Sequence, residues 1–244
     1  MLPTLHSRPY DLLAWFGLGL LTIALSRYTN VDLISSSWFF DANTGEFPLR
    51  DSFLFARVFH DGTHNLSSML WLGCWIMAWR SRHTESFFGW LFVIISALIA
   101  VSINGYFKHQ SLHSCPWSLS EFGGTADYFR AFSTLPAIPG PGRCLPSGHA
   151  GVGFGWIAMI YACTKWWPQH VRKTVIIVLA FSLFCGGIQV ARGAHFITHV
   201  LWTAVICGTS VSICFHLYQY RHGLGKILVM VGQRLQERPA HEPA

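Results

Sequence analysis

Apolar residues gather into six runs along the chain, separated by polar stretches rich in proline, glycine or charge. They are roughly Tyr10–Leu25, Asn65–Trp79, Phe87–Phe107, His149–Trp167, Val171–Gln189 and His199–Tyr218. A bilayer core of ~30 Å is crossed by about 20 helical residues, so each run predicts a transmembrane helix, the second of them short. The expected fold is therefore all-α: an integral-membrane bundle of six transmembrane helices. The stretch Ser26–His64 mixes aromatic and polar residues, which predicts an additional interfacial helix. The end of the chain, "QRLQERPAHEPA", is polar and reads as disordered. Residues 1–222 thus form a single six-helix membrane domain, and 223–244 a cytoplasmic tail that is partly disordered.

Composition agrees with this pattern. Of 244 residues, 52% are hydrophobic and only 11% charged, against about 25% charged in ordinary soluble domains. The basic start followed by an apolar stretch is like a signal peptide, but Asp11 heads the stretch and "SRYTNVD" offers no small-residue cleavage site. A retained first span is the expectation. The net charge of +6 is spread over short clusters between apolar runs, which fits anionic lipid and excludes a nucleic-acid surface. With six spans, ten of the seventeen basic residues fall on the side of the termini, among them Arg80, Arg82, Arg172 and Lys173. Four acidic residues accompany them, whereas the other side carries seven of each sign. Both termini are expected to be cytoplasmic, with Ser26–His64 and Lys108–Gly148 facing outward.

Three polar clusters lie at ends of the predicted helices on that outer side: "NGYFKHQSLHSCPW", "GRCLPSGHAG" and "VARGAHFITHVLW". Together they occupy segments of about 104–149 and 188–202. Lys108, Arg143 and Arg192 supply three cations, Ser147 a hydroxyl, and Gly148 a backbone N–H at a helix start. Such a set binds an anion, and at a lipid–water boundary the natural one is a lipid head-group phosphate. Trp117 and Phe122 lie in the loop joining the first two clusters and are expected to shape the pocket. Glu121 or Asp127 there is a candidate partner for an arginine. His60, His64, His83, His170, His216 and His222 read as solvated or interfacial. Of seven cysteines, only Cys115 and Cys144 lie in the outer loops; they are a possible disulfide, with two free thiols as the alternative.

The motif Pro146-Ser147-Gly148-His149, preceded by Lys108 and followed one span later by Gly193-Ala194-His195, resembles the type 2 phosphatidic acid phosphatase family. That family shares its site with the vanadium haloperoxidases and glucose-6-phosphatase. Its pattern is Lys-x6-Arg-Pro, then Pro-Ser-Gly-His, then Ser-Arg-x5-His-x3-Asp. Here Cys115 stands at the first arginine, Ile188 and Gln189 at the Ser-Arg pair, and His199 at the aspartate. Arg143 and Arg192 are near enough in sequence to replace the two arginines. His199, one turn beyond His195, is expected to accept its Nδ1–H.

The resemblance implies a membrane lipid phosphatase that uses neither metal nor cofactor. His195 would be the nucleophile and His149 the general acid, with His199 completing the catalytic set. Lys108, Arg143, Ser147, Gly148 and Arg192 would hold the phosphate. Expected substrates are lipid A, undecaprenyl pyrophosphate, phosphatidylglycerol phosphate or phosphatidic acid. In a Gram-negative bacterium the protein would sit in the inner membrane with its site facing the periplasm. Alternatives are a phosphotransferase between lipids and a catalytically weak lipid-phosphate binder or transporter. A metal-dependent hydrolase is the fourth reading, because His195 and His199, like His109 and His113, have i, i+4 ligand spacing, with His149 or Cys144 as a third ligand. Against it, Phe196 stands where a zinc hydrolase would carry its glutamate, and the three cations repel Zn²⁺.

Overall fold

The computed structural model describes residues 10–236, with side chains through residue 221. Eight α-helices follow in order: α1 (Tyr10–Tyr28), α2 (Val31–Ser37), α3 (Gly62–Arg80), α4 (Ser86–Gln110), α5 (Gly148–Phe154), α6 (Ile157–Trp166), α7 (Val171–Ala191) and α8 (Ile197–Gln236). A π-helical segment, Phe53–Asp61, runs directly into α3. Among the described residues there is no strand; two isolated bridges, Asp41 with Glu46 and Leu119 with Ala126, lie within the connections that follow α2 and α4.

Helices α4, α7 (extended back to Pro168) and α8 (to Arg221) are each long and apolar enough to cross a membrane. The pair α1 and α2, bent by 75° at its break, adds a fourth span if counted as one. Of the six expected spans, α3 and the α5–α6 pair do not meet that measure. The apolar run from His149 to Trp167 is broken between Phe154 and Ile157, leaving two short helices. In place of a single surface helix, Ser26–His64 carries α2 and the π-helical segment. Helix α8 continues to Gln236; the remainder of the polar tail lies outside the described residues.

Large apolar side chains such as Phe16, Met69, Ile76, Leu98, Ile177 and Leu183 face outward on these helices. A soluble protein rarely exposes so continuous an apolar surface; in a bilayer it is the favourable arrangement, because helices satisfy their own backbone. The chain is an integral membrane protein. Inside, α4 and α8 pack on each other and α5 on α7 around Val93, Ile94, Ala100, Ala158 and Val211. Buried hydroxyls are absorbed one turn back: Thr22 Oγ1 donates to Leu18 O at 2.8 Å and Ser182 Oγ to Val178 O at 2.7 Å. Gly153 sits so close to α7 that a Cβ there would lie 2.5 Å from Ser182 Cα. That approach is open to a small residue only, and it fixes α5 against α7.

Asp11, at the head of α1, locks one end of the bundle. It accepts from Tyr161 Oη at 2.7 Å, from Ser212 Oγ, and pairs with His216 Nε2 at 2.9 Å. His216, expected to be solvated or interfacial, is half-buried and a partner in this lock. The opposite end is capped by the segments between α2 and α3 and between α4 and α5. Phe40, Phe47 and Phe122 meet with ring centroids 5.3–5.5 Å apart, and Phe196 packs into the same cluster. Arg130 binds the exposed carbonyls at the end of α1, Nη1 lying 2.9 Å from Arg27 O and 3.1 Å from Thr29 O. A cation there also faces the negative end of the helix dipole.

Candidate active site

The first element is the end of α4. Lys108 donates from Nζ to the Arg143 carbonyl, and its stem lies against Gly148, whose Cβ position is 3.2 Å from Lys108 Cδ. One turn earlier, Asn104 Nδ2 donates to Ser147 O at 3.1 Å. The apolar α4 thus presents one polar stripe, and that stripe receives the turn that opens α5.

Ser147 is the N-cap of α5, its Oγ accepting from the Ala150 N–H at 3.3 Å. Its carbonyl also accepts from Thr203 Oγ1 at 2.9 Å, and its N–H donates to His199 O at 3.2 Å. Every backbone polar group of this residue is therefore held by α4 or α8. With the side chain capping as well, the serine–glycine–histidine turn is rigid and its helix N-terminus is aimed by neighbours.

His149 is buried and lies flat on His60, and its Nε2 is 3.0 Å from Thr63 Oγ1. Thr63 has one hydroxyl proton, and the Phe59 carbonyl, 2.6 Å away, takes it. Thr63 must then accept from His149, which assigns the proton to Nε2 and the lone pair to Nδ1. His60 and Thr63 were not identified from the sequence. His60 was expected to be solvated or interfacial; its role arises because the π-helical segment packs on α7 and α3 and brings this ring onto His149.

The chain leaves α7 through Gly193, in the left-handed region at φ 68°. The Gln189 carbonyl accepts the N–H groups of Ala194 and His195, at 2.9 and 3.2 Å. A side chain at Gly193 would collide with the Phe47 ring, 2.4 Å from its Cβ position, so the tight turn and the close contact both require glycine. The turn brings His195 inward, where Nδ1 lies 3.4 Å from Cys144 Sγ. Cys144 is disulfide-bonded to Cys115, so its sulfur has no proton. A hydrogen bond there needs Nδ1–H as donor, which leaves the Nε2 lone pair free. Burial, reinforced by the Lys108 charge, pushes His195 down to about 3, so the imidazole is neutral at pH 7.

His199 does not bond to His195. The ring centroids are 5.9 Å apart, and the Nδ1 of His195 faces the disulfide instead. The His199 carbonyl is engaged, by Ser147 and by Thr203 Oγ1 at 3.0 Å, while its Nδ1 has no partner among the described residues. Arg192 donates from Nε to the Arg50 carbonyl at 2.8 Å, and Arg50 stacks on Trp117, 4.5 Å from the ring centroid. Arg143 is exposed, with φ 56°, and only its backbone joins Lys108. Neither Glu121 nor Asp127 pairs with an arginine: Glu121 accepts from Ser120 Oγ and Asp127 from the Ile138 N–H.

Cys144, His195 and His199 offer atoms within 4.8 Å of one another, a spacing that suits a metal ion. A sulfur bound in a disulfide is no thiolate ligand, and Lys108 stands beside the pair, so this set does not fit Zn²⁺.

A model of the PAP2 superfamily matches residues 89–223, a stretch that holds Lys108, the Ser147–His149 turn, Arg192, His195 and His199. No match is found among curated proteins or among solved structures. With more than half of its length matched, and with the lysine, the Pro-Ser-Gly-His turn and the second histidine gathered at one end of its bundle, the chain belongs to the PAP2 superfamily.

Proposed function

We propose that the protein is a phosphatase that removes a phosphate from a lipid head group at the outer face of the membrane, through a phosphohistidine on His195 and without a metal. The observation that carries this reading is the meeting of Lys108, the Ser147–Gly148–His149 turn and a neutral, buried His195 at one end of the bundle. His195 Nε2 attacks phosphorus in line, and the P–N bond forms as the bond to the leaving oxygen breaks. His149, charged by a proton taken up at Nδ1 when the phosphate binds, gives that proton to the oxygen as general acid and keeps its Nε2–H on Thr63. Lys108, Arg143, Ser147, the Gly148 N–H and Arg192 stabilise the phosphoryl oxygens in the transition state. Water then attacks the phosphohistidine, giving its proton to His149 and releasing phosphate.

Two observations support a lipid as substrate and the outer side as location. An apolar groove of about 440 Å³ between α3, α4 and α5 is lined by His64, Trp71, Leu98, Val152 and Trp156. It begins one turn of chain from His60, which stacks on His149, and suits an acyl or isoprenyl chain. The Asp11–His216 lock sets the start of α1 at the end of the bundle away from the site, so cytoplasmic termini put the site outside, facing the periplasm if the membrane is a bacterial inner membrane. Phosphatidic acid, phosphatidylglycerol phosphate, undecaprenyl pyrophosphate and lipid A share the required chemistry.

The test is phosphate release from a detergent-solubilised panel of these four lipids, with and without EDTA. Release that survives EDTA and disappears in His195→Ala and His149→Ala supports the reading. Failure of well-folded protein to release phosphate from any of them, or loss of release with EDTA, contradicts it.

A further inference from the structure

His199 sits in the first turn of α8, only 3% exposed, with an unpaired Nδ1. An orphaned buried polar atom costs on the order of 1–3 kcal/mol, so the surroundings of this ring are informative. It borders a small void of about 10 Å³ between α2, the outer loop and α8, together with Ser26, Asp32, His113, Tyr128 and Thr198. A buried water needs roughly 10–15 Å³ and two to four polar partners; this void is at the lower edge of that size, and its polar groups are set among apolar neighbours such as Phe129, Leu145 and Phe196.

Asp32 is the one carboxylate on this lining. It comes from α2, is 4% exposed, and grips the start of α8: Oδ1 accepts the Thr198 N–H at 3.1 Å and Oδ2 the Thr198 hydroxyl at 2.6 Å. Each carboxylate oxygen has a second lone pair, so both bonds leave Asp32 able to accept more. Across the void, His113 is stacked on Phe129 at 4.2 Å, and burial pushes it down to about 4, so it brings no charge at neutral pH.

We propose that one water in this void joins the Asp32 carboxylate to His199 Nδ1, making Asp32 a positioning residue for the histidine pair. The water donates to Asp32 and accepts the Nδ1–H of His199. That fixes the tautomer of His199 and leaves a lone pair on Nε2, in a ring whose ligating atom lies within 4.8 Å of that of His195. Asp32 thereby acts on the site twice, through its hold on the α8 start and through the water. The role in turnover rests on the reading of His195 as nucleophile; the hydrogen-bond assignment does not.

Two variants separate these contributions. Asp32→Asn keeps an acceptor for the Thr198 N–H but removes the charge. Ala131→Val adds bulk to the lining of the void and leaves the Asp32–Thr198 bonds in place. The first readout is ¹⁵N NMR of histidine-labelled full-length protein in detergent, with His199 assigned through His199→Gln. Wild type is expected to show His199 as a single Nδ1–H tautomer, and both variants to lose that preference. On the best substrate of the lipid panel, both are expected to lower kcat at least tenfold with KM within twofold. An Nε2–H tautomer in wild type overturns the proposal, as does an unchanged tautomer in both variants. So does Asp32→Asn that lowers the melting temperature while tautomer and kcat stay as in wild type, since the residue then only caps α8. If no lipid is hydrolysed at all, the NMR result still decides the bridge, and the failure falls on the phosphatase reading.

Discussion

His149 lies flat on His60, with ring centroids 4.1 Å apart and planes 14° apart, and the pair is tied at both edges. Thr63 holds Nε2 of His149, and Asp61 Oδ1 lies 3.0 Å from Nδ1 of His60. The ring is thereby fixed in orientation and tautomer before any substrate arrives. With Nε2–H committed to Thr63, Nδ1 is the nitrogen left to carry and deliver a proton when His149 acts as general acid.

Thr63→Val tests that arrangement. It preserves shape and removes the acceptor for the His149 Nε2–H. The expected result is a kcat about fivefold lower, in line with one hydrogen bond of about 1 kcal/mol, with KM unchanged within a factor of two. His149→Ala should lose about 10²–10⁴, the usual range for a general acid. Steady-state kinetics on the best lipid substrate measures both. A change confined to KM places Thr63 in binding rather than in proton transfer.

The disulfide between Cys115 and Cys144 closes a separation of 29 residues and sets a proton-free sulfur beside His195. In the chain-entropy model that closure stabilises by about 3–4 kcal/mol. Cys115→Ala with Cys144→Ala should lower the melting temperature in detergent by several degrees and lower kcat, because His195 loses its Nδ1 neighbour. Equal melting temperatures for oxidised, reduced and substituted protein would show that the bridge does not hold the α4–α5 connection.

Acid sensitivity follows from the buried imidazoles. His195 and His113 titrate near 3 and 4 in the folded chain, against about 6.5 when exposed. Between those values the unfolded state binds more protons, so stability rises with pH and is lost as pH falls from 6.5 through the folded values. Thermal melting in detergent from pH 7.5 to 4 should show that decline, and His113→Phe should flatten part of it. The rate should show no acid limb near pH 6.5 from the nucleophile, since His195 is already neutral there.

Asp11 predicts the opposite separation. Asp11→Asn weakens the lock with Tyr161, Ser212 and His216 at the far end of the bundle, so the melting temperature should fall by several degrees while kcat stays within twofold. A larger loss of kcat in a stable variant would mean that the two ends are coupled.

Much of the site was legible because its parts sit at ends of apolar runs. Lys108, Ser147, Gly148, His149 and His195 are polar groups abutting helices that should otherwise be greasy, and the structure gathers them. Their supports were not legible. Asp32 and Thr198 are 166 positions apart, and His149 and Thr63 86 apart; such pairings arise from helix packing, which hydropathy does not encode. Asn104 did carry a signal, a polar residue one turn before Lys108 in an apolar run. The number of spans was less legible than the helical class. An apolar run such as His149–Trp167 does not reveal that its glycines break it into α5 and α6, and the run Asn65–Trp79 is too short to declare its role. His199 was expected to hold His195 because i, i+4 residues share a helix face; the α7–α8 turn instead sends His195 Nδ1 toward the disulfide.

The most direct measurement is to trap the intermediate. Protein mixed with a ³²P-labelled lipid from the panel, quenched within a turnover and kept alkaline, should carry phosphate on His195 by peptide mass spectrometry. The adduct should be acid-labile, should build up further in His149→Ala if hydrolysis slows more than attack, and should be absent from His195→Ala. Phosphate on another residue, or hydrolysis by wild type and by His195→Ala at similar rates, would contradict the account.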